Sequence, residues 1–178
     1  ETALELCKKY DIVYISDETV TGFGRLGHWF ASKEVFNIQP DIITCAKGLT
    51  SGYLPMGAAI ISDSLIDGIK NTEGSQPFTN GYTYSCHPVA AKAALTNINI
   101  ISNENILGHV QEISPHFQTR LKAVGEKYDI IGDARGLGLL GCLEGLGSKS
   151  TSEEARLKID TEFGQLMDDA CEKRGLLV

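Results

Sequence analysis

Two apolar runs that each end in a charged residue limit the folds open to this chain. Asp11-Ile12-Val13-Tyr14-Ile15-Ser16-Asp17 reads as a buried strand closed by an acid, and Ile42-Ile43-Thr44-Cys45-Ala46-Lys47 as another closed by an amine. A third strand at about 57–62 and helical stretches near 28–37 and 64–70 alternate with them, which is the pattern of an open α/β sheet. In such sheets ligands collect at the carboxyl ends of strands, so Asp17 and Lys47 could face one ligand. Taken singly, each has an ordinary explanation. A strand-end lysine can snorkel to water and an aspartate can cap a turn.

Taken together, the acid and the amine suit pyridoxal 5'-phosphate (PLP), which needs a lysine for a Schiff base and an acidic partner for its ring nitrogen. A carboxylate there keeps the ring nitrogen protonated. The lysine has a second task once a substrate amine displaces it, because it can then carry a proton if its pKa is brought toward neutrality.

The surrounding motifs extend the case. Asp17-Glu18-Thr19-Val20-Thr21-Gly22-Phe23-Gly24-Arg25-Leu26-Gly27, Pro40-Asp41-Ile42 leading to Ala46-Lys47-Gly48, Gly52-Tyr53-Leu54-Pro55-Met56-Gly57-Ala58 and Gly81-Tyr82-Thr83-Tyr84-Ser85-Cys86-His87-Pro88 follow one another in register. In order and spacing this series resembles the class III PLP-dependent aminotransferases, from about Cys7 through Glu144. The resemblance implies PLP transferase fold type I, with the carboxyl half of the large domain at 1–103 and the start of a small C-terminal α+β domain at 104–178. It makes Lys47 the Schiff-base lysine and Asp17 the partner of the ring nitrogen, with Thr19 and Val20 also at the cofactor. Thr83 matches a threonine that binds the phosphate of the neighbouring subunit's cofactor, which implies a homodimer with shared active sites. Arg135, in Asp133-Ala134-Arg135-Gly136-Leu137-Gly138, matches an arginine that in several members pairs with the substrate carboxylate. Read without the resemblance, Thr83 is a turn threonine and Arg135 belongs to a structural ion pair.

The segments Arg25–Ser32 and Ile42–Tyr53 are similar to the omega-amino-acid and taurine pyruvate aminotransferases. The expected reaction is transfer of an amino group from an amine or omega-amino acid to a keto acid such as pyruvate. Other activities of the class, aminomutase, decarboxylase and epimerase, use the same scaffold, and a non-catalytic piece that kept the fold is the alternative from outside enzymology.

Two positions depart from the family pattern. Thr19 stands where a valine or isoleucine usually packs on the cofactor ring, and its hydroxyl must find a partner. Cys86 stands where glycine is common, so a backbone needing positive φ there would be strained.

A competing motif, Gly22-Phe23-Gly24-Arg25-Leu26-Gly27, satisfies the G-x-G-x-x-G pattern after a strand. Residues Glu18–Thr21 intervene before the first glycine, and no second strand ends in an acid about 20 residues on, as ribose binding would need. These glycines read as a tight connection.

Composition narrows the partners. With 178 residues the chain can bury a good core, and a net charge of −7 without a basic cluster argues against nucleic acid or an anionic membrane as partner. Cys7, Cys45, Cys86, Cys142 and Cys171 are odd in number and never spaced C-x-x-C, which argues against a disulfide framework or zinc site and suits the cytoplasm. The histidines show no ligand spacing, so no metal is expected. No signal peptide is present, and no apolar run reaches the ~18 residues of a membrane span.

Further along, Pro88 opens an alanine-rich helix, Asn99–Asn105 reads as a junction, and apolar residues recur at helical spacing from Ile106 to Lys127. A strand around 137–144, a polar turn at Gly145–Ser152 and a helix from Ser152 to Lys173 follow. The chain opens without methionine inside what reads as a helix and closes at Gly175–Val178 as a strand cut short. Since family members are much longer, it reads as a fragment.

Overall fold

The computed structural model describes residues 2–71, 74, 81–145 and 163–177. The chain divides into two compact units, Glu1–Gln111 and Glu112–Val178.

The first unit opens with helix α1 (Ala3–Lys9), whose start is fixed by a capping box. The Thr2 hydroxyl accepts the Glu5 N–H, and the Glu5 carboxylate accepts the Thr2 N–H. Three strands then build a sheet in the order β1 (Ile15–Asp17), β2 (Ile42–Cys45), β3 (Ala58–Ile61). β1 and β2 run parallel with Ile15 opposite Ile42 and Asp17 opposite Thr44, while β3 returns antiparallel with Cys45 opposite Ala58. The parallel step requires a crossover, which contains the short helix α2 (Ala31–Glu34). α3 (Asp63–Asn71) and α4 (Pro88–Asn103) follow, the latter with proline in its first turn, where a missing N–H costs nothing. α5 (Ile106–Lys127) begins after a turn at Glu104–Asn105. Leu26, Ala31, Cys45, Leu49, Ala90, Ala94, Ile101 and Val110 form the buried apolar set of this unit.

The second unit holds an antiparallel hairpin, β4 (Ile131–Leu137) with β5 (Leu140–Gly145), and helix α6 (Phe163–Glu172). Phe163 is buried, and a Cβ on Gly145 would collide with its ring, so glycine is required there.

Several elements differ from their sequence expectation. The strand expected over 11–17 is formed only at 15–17. Asp11 takes φ +52°, and the Tyr14 backbone is bonded on both sides by Asp41, through its N–H at 2.9 Å and its carboxylate at 2.8 Å. The helix expected over 28–37 contracts to 31–34 because the carbonyls of His28 and Trp29 are drawn into bonds with Gly24 and Phe23. The single strand expected at 137–144 is a hairpin whose turn lies at Gly138-Leu139, with Gly138 at φ +58°. Of the helix expected over Ser152–Lys173, Phe163–Glu172 is observed and 152–162 lie outside the described residues, as do 146–152 of the expected turn. The expected terminal strand is absent from 175–177. Instead Gly175, at φ +81°, and Leu176 donate back to Glu172 and Cys171 and close α6 in a Schellman motif.

Candidate active site

Parallel pairing of β1 and β2 brings two carboxyl ends side by side, and the register sets Asp17 against Thr44, three residues before Lys47. The Thr44 hydroxyl donates to Asp17 Oδ1 at 3.2 Å, and the Thr19 N–H donates to the same oxygen at 2.9 Å. Asp17 is exposed. Its carboxyl is held below the usual carboxylate range, first by the hydroxyl and N–H of Thr19, then by the Thr44 hydroxyl, with a further contribution from the positive charge of Lys47. The polar residue at position 19 therefore has a partner: its hydroxyl helps keep Asp17 ionised.

Lys47 opens a short 3₁₀ turn, Lys47–Leu49, directly after β2. Its side chain is exposed and its backbone sits at φ +28°, a region that costs a non-glycine residue about 1–3 kcal/mol. The next residue has to be small. A Cβ on Gly48 would stand 2.9 Å from Phe23 Cβ and 3.2 Å from the Gly22 carbonyl.

The segment between β1 and α2 is folded around Glu18, which is 1% exposed. Its carboxylate accepts the Thr21 hydroxyl at 2.7 Å and the N–H groups of Ala31 at 2.7 Å and Ser32 at 2.6 Å. Burial pushes this carboxyl up, but the bonds from Ala31, Ser32 and Thr21 together outweigh it and leave Glu18 below its ordinary value. Phe23, Gly24 and Gly27 take φ of +58°, +103° and +83° in the turn that follows. The G-x-G-x-x-G segment is thus a tight connection and opens no helix of its own. Thr19 is half-buried and Val20 is 46% exposed, and both stand at the mouth beside Asp17. Cys45, one residue from the end of that mouth, is buried and its thiol is pushed up by burial, which makes it a packing residue rather than a nucleophile.

The other expected residues stand on other elements. Thr83 is exposed in the turn before α4, and among the described residues no hydrogen bond joins it to Asp17 or Lys47. That turn ends at Cys86 with φ +59°, so the backbone that favours glycine is present with a cysteine in it. Arg135 stands on β4 in the second unit, where its Nη1 bonds Asp133 Oδ2 at 2.5 Å and Glu144 Oε2 at 2.6 Å. These two carboxylates hold its guanidinium above its usual range.

Two residues that shape the mouth were not found from sequence. Glu18 had a signal in its place next to Asp17, but its partners lie beyond a loop that sequence spacing does not resolve. Asn97 of α4, which donates to the carbonyls of Gly48 and Leu49, had none.

An ionised, exposed carboxylate beside a lysine at the next strand end fits the donor set that PLP needs. Fold and site together define part of a fold type I PLP enzyme. The chain belongs to the aminotransferase class-III family, which its residues 1–173 match. It is 41% identical over 175 residues to a putrescine–pyruvate aminotransferase of Pseudomonas aeruginosa, covering 98% of this chain and 37% of that protein. A mitochondrial gamma-aminobutyrate transaminase 1 of Oryza sativa subsp. japonica is 40% identical over 181 residues, with 100% and 34% covered. Among solved structures, an amine transaminase from an uncultivated Pseudomonas species, in its PLP-bound form, superposes with a TM-score of 0.87 at 35% identity, covering 98% of this chain and 39% of that one. A taurine:2-oxoglutarate aminotransferase from Bifidobacterium kashiwanohense, in complex with PLP and glutamate, gives 0.83 at 30% identity, covering 97% and 38%. This chain therefore spans little more than a third of the length of these relatives.

Proposed function

We propose that the whole protein is a PLP-dependent aminotransferase that moves an amino group from an amine or omega-amino acid to a keto acid such as pyruvate. The observation that carries this reading is the pairing of Asp17 and Lys47 at adjacent parallel strand ends, the acid ionised and both side chains exposed. When bound, the cofactor supplies the electron sink. Lys47 holds it through Nζ and, when released, accepts and returns the proton at the substrate carbon. Asp17 would keep the ring nitrogen protonated through its ionised carboxylate, and Thr19 and Val20 would contact the cofactor. We assign Thr83 to the phosphate of the neighbouring subunit's cofactor, which makes the protein a homodimer with shared sites. Arg135 meets a substrate carboxylate only by trading Asp133 or Glu144 for it. The guanidinium is exposed and its pairs are screened by water, so the trade is cheap.

We take residues 1–103 as part of the large domain and 104–178 as part of the small one, with the boundary at the turn between α4 and α5, a little before the division of the chain into compact units after Gln111. Among the described residues no helix is long and apolar enough to cross a membrane. All five cysteines are free thiols, which supports the cytoplasm as the protein's compartment.

Pyruvate as acceptor and a terminal amine as donor are drawn from the relative named for putrescine and pyruvate. The test is borohydride reduction of the full-length protein loaded with PLP, followed by peptide mapping, with alanine formation from pyruvate measured in parallel. The pyridoxyl label should sit on Lys47. A label elsewhere removes the site assignment, and a Lys47 label without alanine formation from any amine would favour aminomutase, decarboxylase or epimerase chemistry. A folded protein with no visible cofactor band would be the non-catalytic alternative.

A further inference from the structure

A strained residue keeps its conformation only where its neighbours impose it. The turn that follows Lys47 contains two further residues at positive φ, Ser51 at +51° and Gly52 at +76°. The Thr50 hydroxyl closes it with a 2.6 Å bond to the Leu54 carbonyl, but its backbone bonds are mostly long. Leu49 donates to Ala46 at 2.7 Å, but Thr50 to Lys47, Ser51 to Gly48 and Gly52 to Lys47 span 3.3, 3.4 and 3.3 Å. On one side the turn is pressed against Phe23 through Gly48. On the other stands α4, whose Asn97 sends its amide N–H groups 2.7 Å to the Gly48 carbonyl and 3.2 Å to the Leu49 carbonyl. The Ser51 hydroxyl donates back to Asn97 Oδ1 at 2.7 Å. One half-buried side chain thus ties down two carbonyls and one hydroxyl of a turn whose backbone bonds are mostly long.

We propose that Asn97 is a positioning residue for the reaction. It holds the turn that fixes the direction in which the Lys47 side chain leaves the backbone, and so sets the placement of the amine relative to Asp17. Asn97 touches no reacting atom, and the proposal rests on Lys47 being the cofactor's lysine. A side-chain amide suits the task because it donates twice and accepts from the hydroxyl in one plane. A carboxylate of the same size would set negative charge against both carbonyls.

The test uses full-length protein with Asn97→Asp, and Asn97→Ala as the variant that carries it if the charged one does not fold. Thr96→Ala is the control, because that hydroxyl bonds within its own helix, to the Lys92 carbonyl at 2.9 Å. Hydrogen exchange of the cofactor-free protein should speed up over residues 48–52 by about tenfold in the Asn97 variants, with the rest of α4 still protected and Thr96→Ala unchanged. In the PLP-loaded variants the pH titration of the visible band should shift and the borohydride label on Lys47 should fall. Unchanged exchange at 48–52 overturns the proposal. Faster exchange with an unchanged titration and label also overturns it, since the turn would then be held without consequence for the amine. Unfolding of both variants would make Asn97 a folding residue and likewise end the idea. A wild-type label on another lysine would sink the reading of Lys47 itself, whereas a Lys47 label with an unmoved titration sinks only the role of Asn97.

Discussion

At the scale of single residues the proposed site requires one carboxylate to stay charged. The Thr19 N–H and the Thr44 hydroxyl bond Asp17 through Oδ1, and together with the Thr19 hydroxyl they hold the carboxyl below its usual range. Asp17→Asn should therefore leave PLP bound, because phosphate and lysine carry the binding, while turnover falls by about a hundredfold or more as the ring nitrogen loses its counter-ion. Single-turnover rates with the loaded protein measure this, and a variant that runs near the wild-type rate would reduce Asp17 to a strand-end cap. That Asp17 and Lys47 would stand at neighbouring strand ends was legible in sequence, because each closes an apolar run with a charge and the two together suit one ligand. Thr19 was legible only as an anomaly. That its hydroxyl serves Asp17 depends on a turn two residues long, a geometry periodicity does not report.

At the scale of elements, the loop from Glu18 to Ser32 carries the most information and was the least readable. Its shape comes from one buried carboxylate gathering Thr21, Ala31 and Ser32, and contacts of that kind leave no periodic trace in sequence. Glu18→Gln keeps the volume but replaces one acceptor oxygen by a donor facing backbone N–H groups, which should cost roughly 2 kcal/mol in urea unfolding of the full-length protein. The sign of the pH dependence follows from the lowered pKa. A carboxyl depressed in the folded state contributes its stability fully above the usual carboxylate range and loses it as pH falls through the folded value. The gap between wild type and variant should thus be widest near neutrality and close on acidification, and a gap independent of pH would refute the role given to the charge. The turn before α4 allows a second check. Cys86 at φ +59° pays for a left-handed backbone that glycine adopts freely, while glycine loses more entropy on folding. Cys86→Gly should come out ahead by about 0.5–1 kcal/mol, seen as a higher unfolding midpoint, and a lower midpoint would mean that the thiol makes contacts worth more than the strain. This strain was foreseeable, because the family pattern marked the position for glycine. The β4–β5 hairpin was not, since Gly132, Asp133, Arg135 and Gly136 break the apolar alternation that signals a strand.

At the scale of the whole molecule the sequence motifs, read in register, reached further than local pattern could, because they fix the order of strand ends and not only their existence. They also point outside the single chain. Thr83 stands between Tyr82 and Tyr84, which are 79% and 81% exposed. If Thr83 serves the neighbouring subunit's phosphate, each site needs two chains, and the full-length protein has no active monomer. Mixing two dead chains tests this. Lys47→Ala removes the amine from its own site, and Thr83→Glu sets a carboxylate against the phosphate of its partner's site. In a heterodimer of the two, both defects fall in one site and the other keeps a native Lys47 and a native Thr83. Purified heterodimers should therefore recover about half of the parent activity although each homodimer has none, as expected for two independent sites in a symmetric dimer. Were Thr83 to act within its own chain, every site in the heterodimer would carry one defect and the mixture would stay dead. Silence from purified heterodimers, or turnover by a wild-type monomer, would return Thr83 to the status of a turn residue.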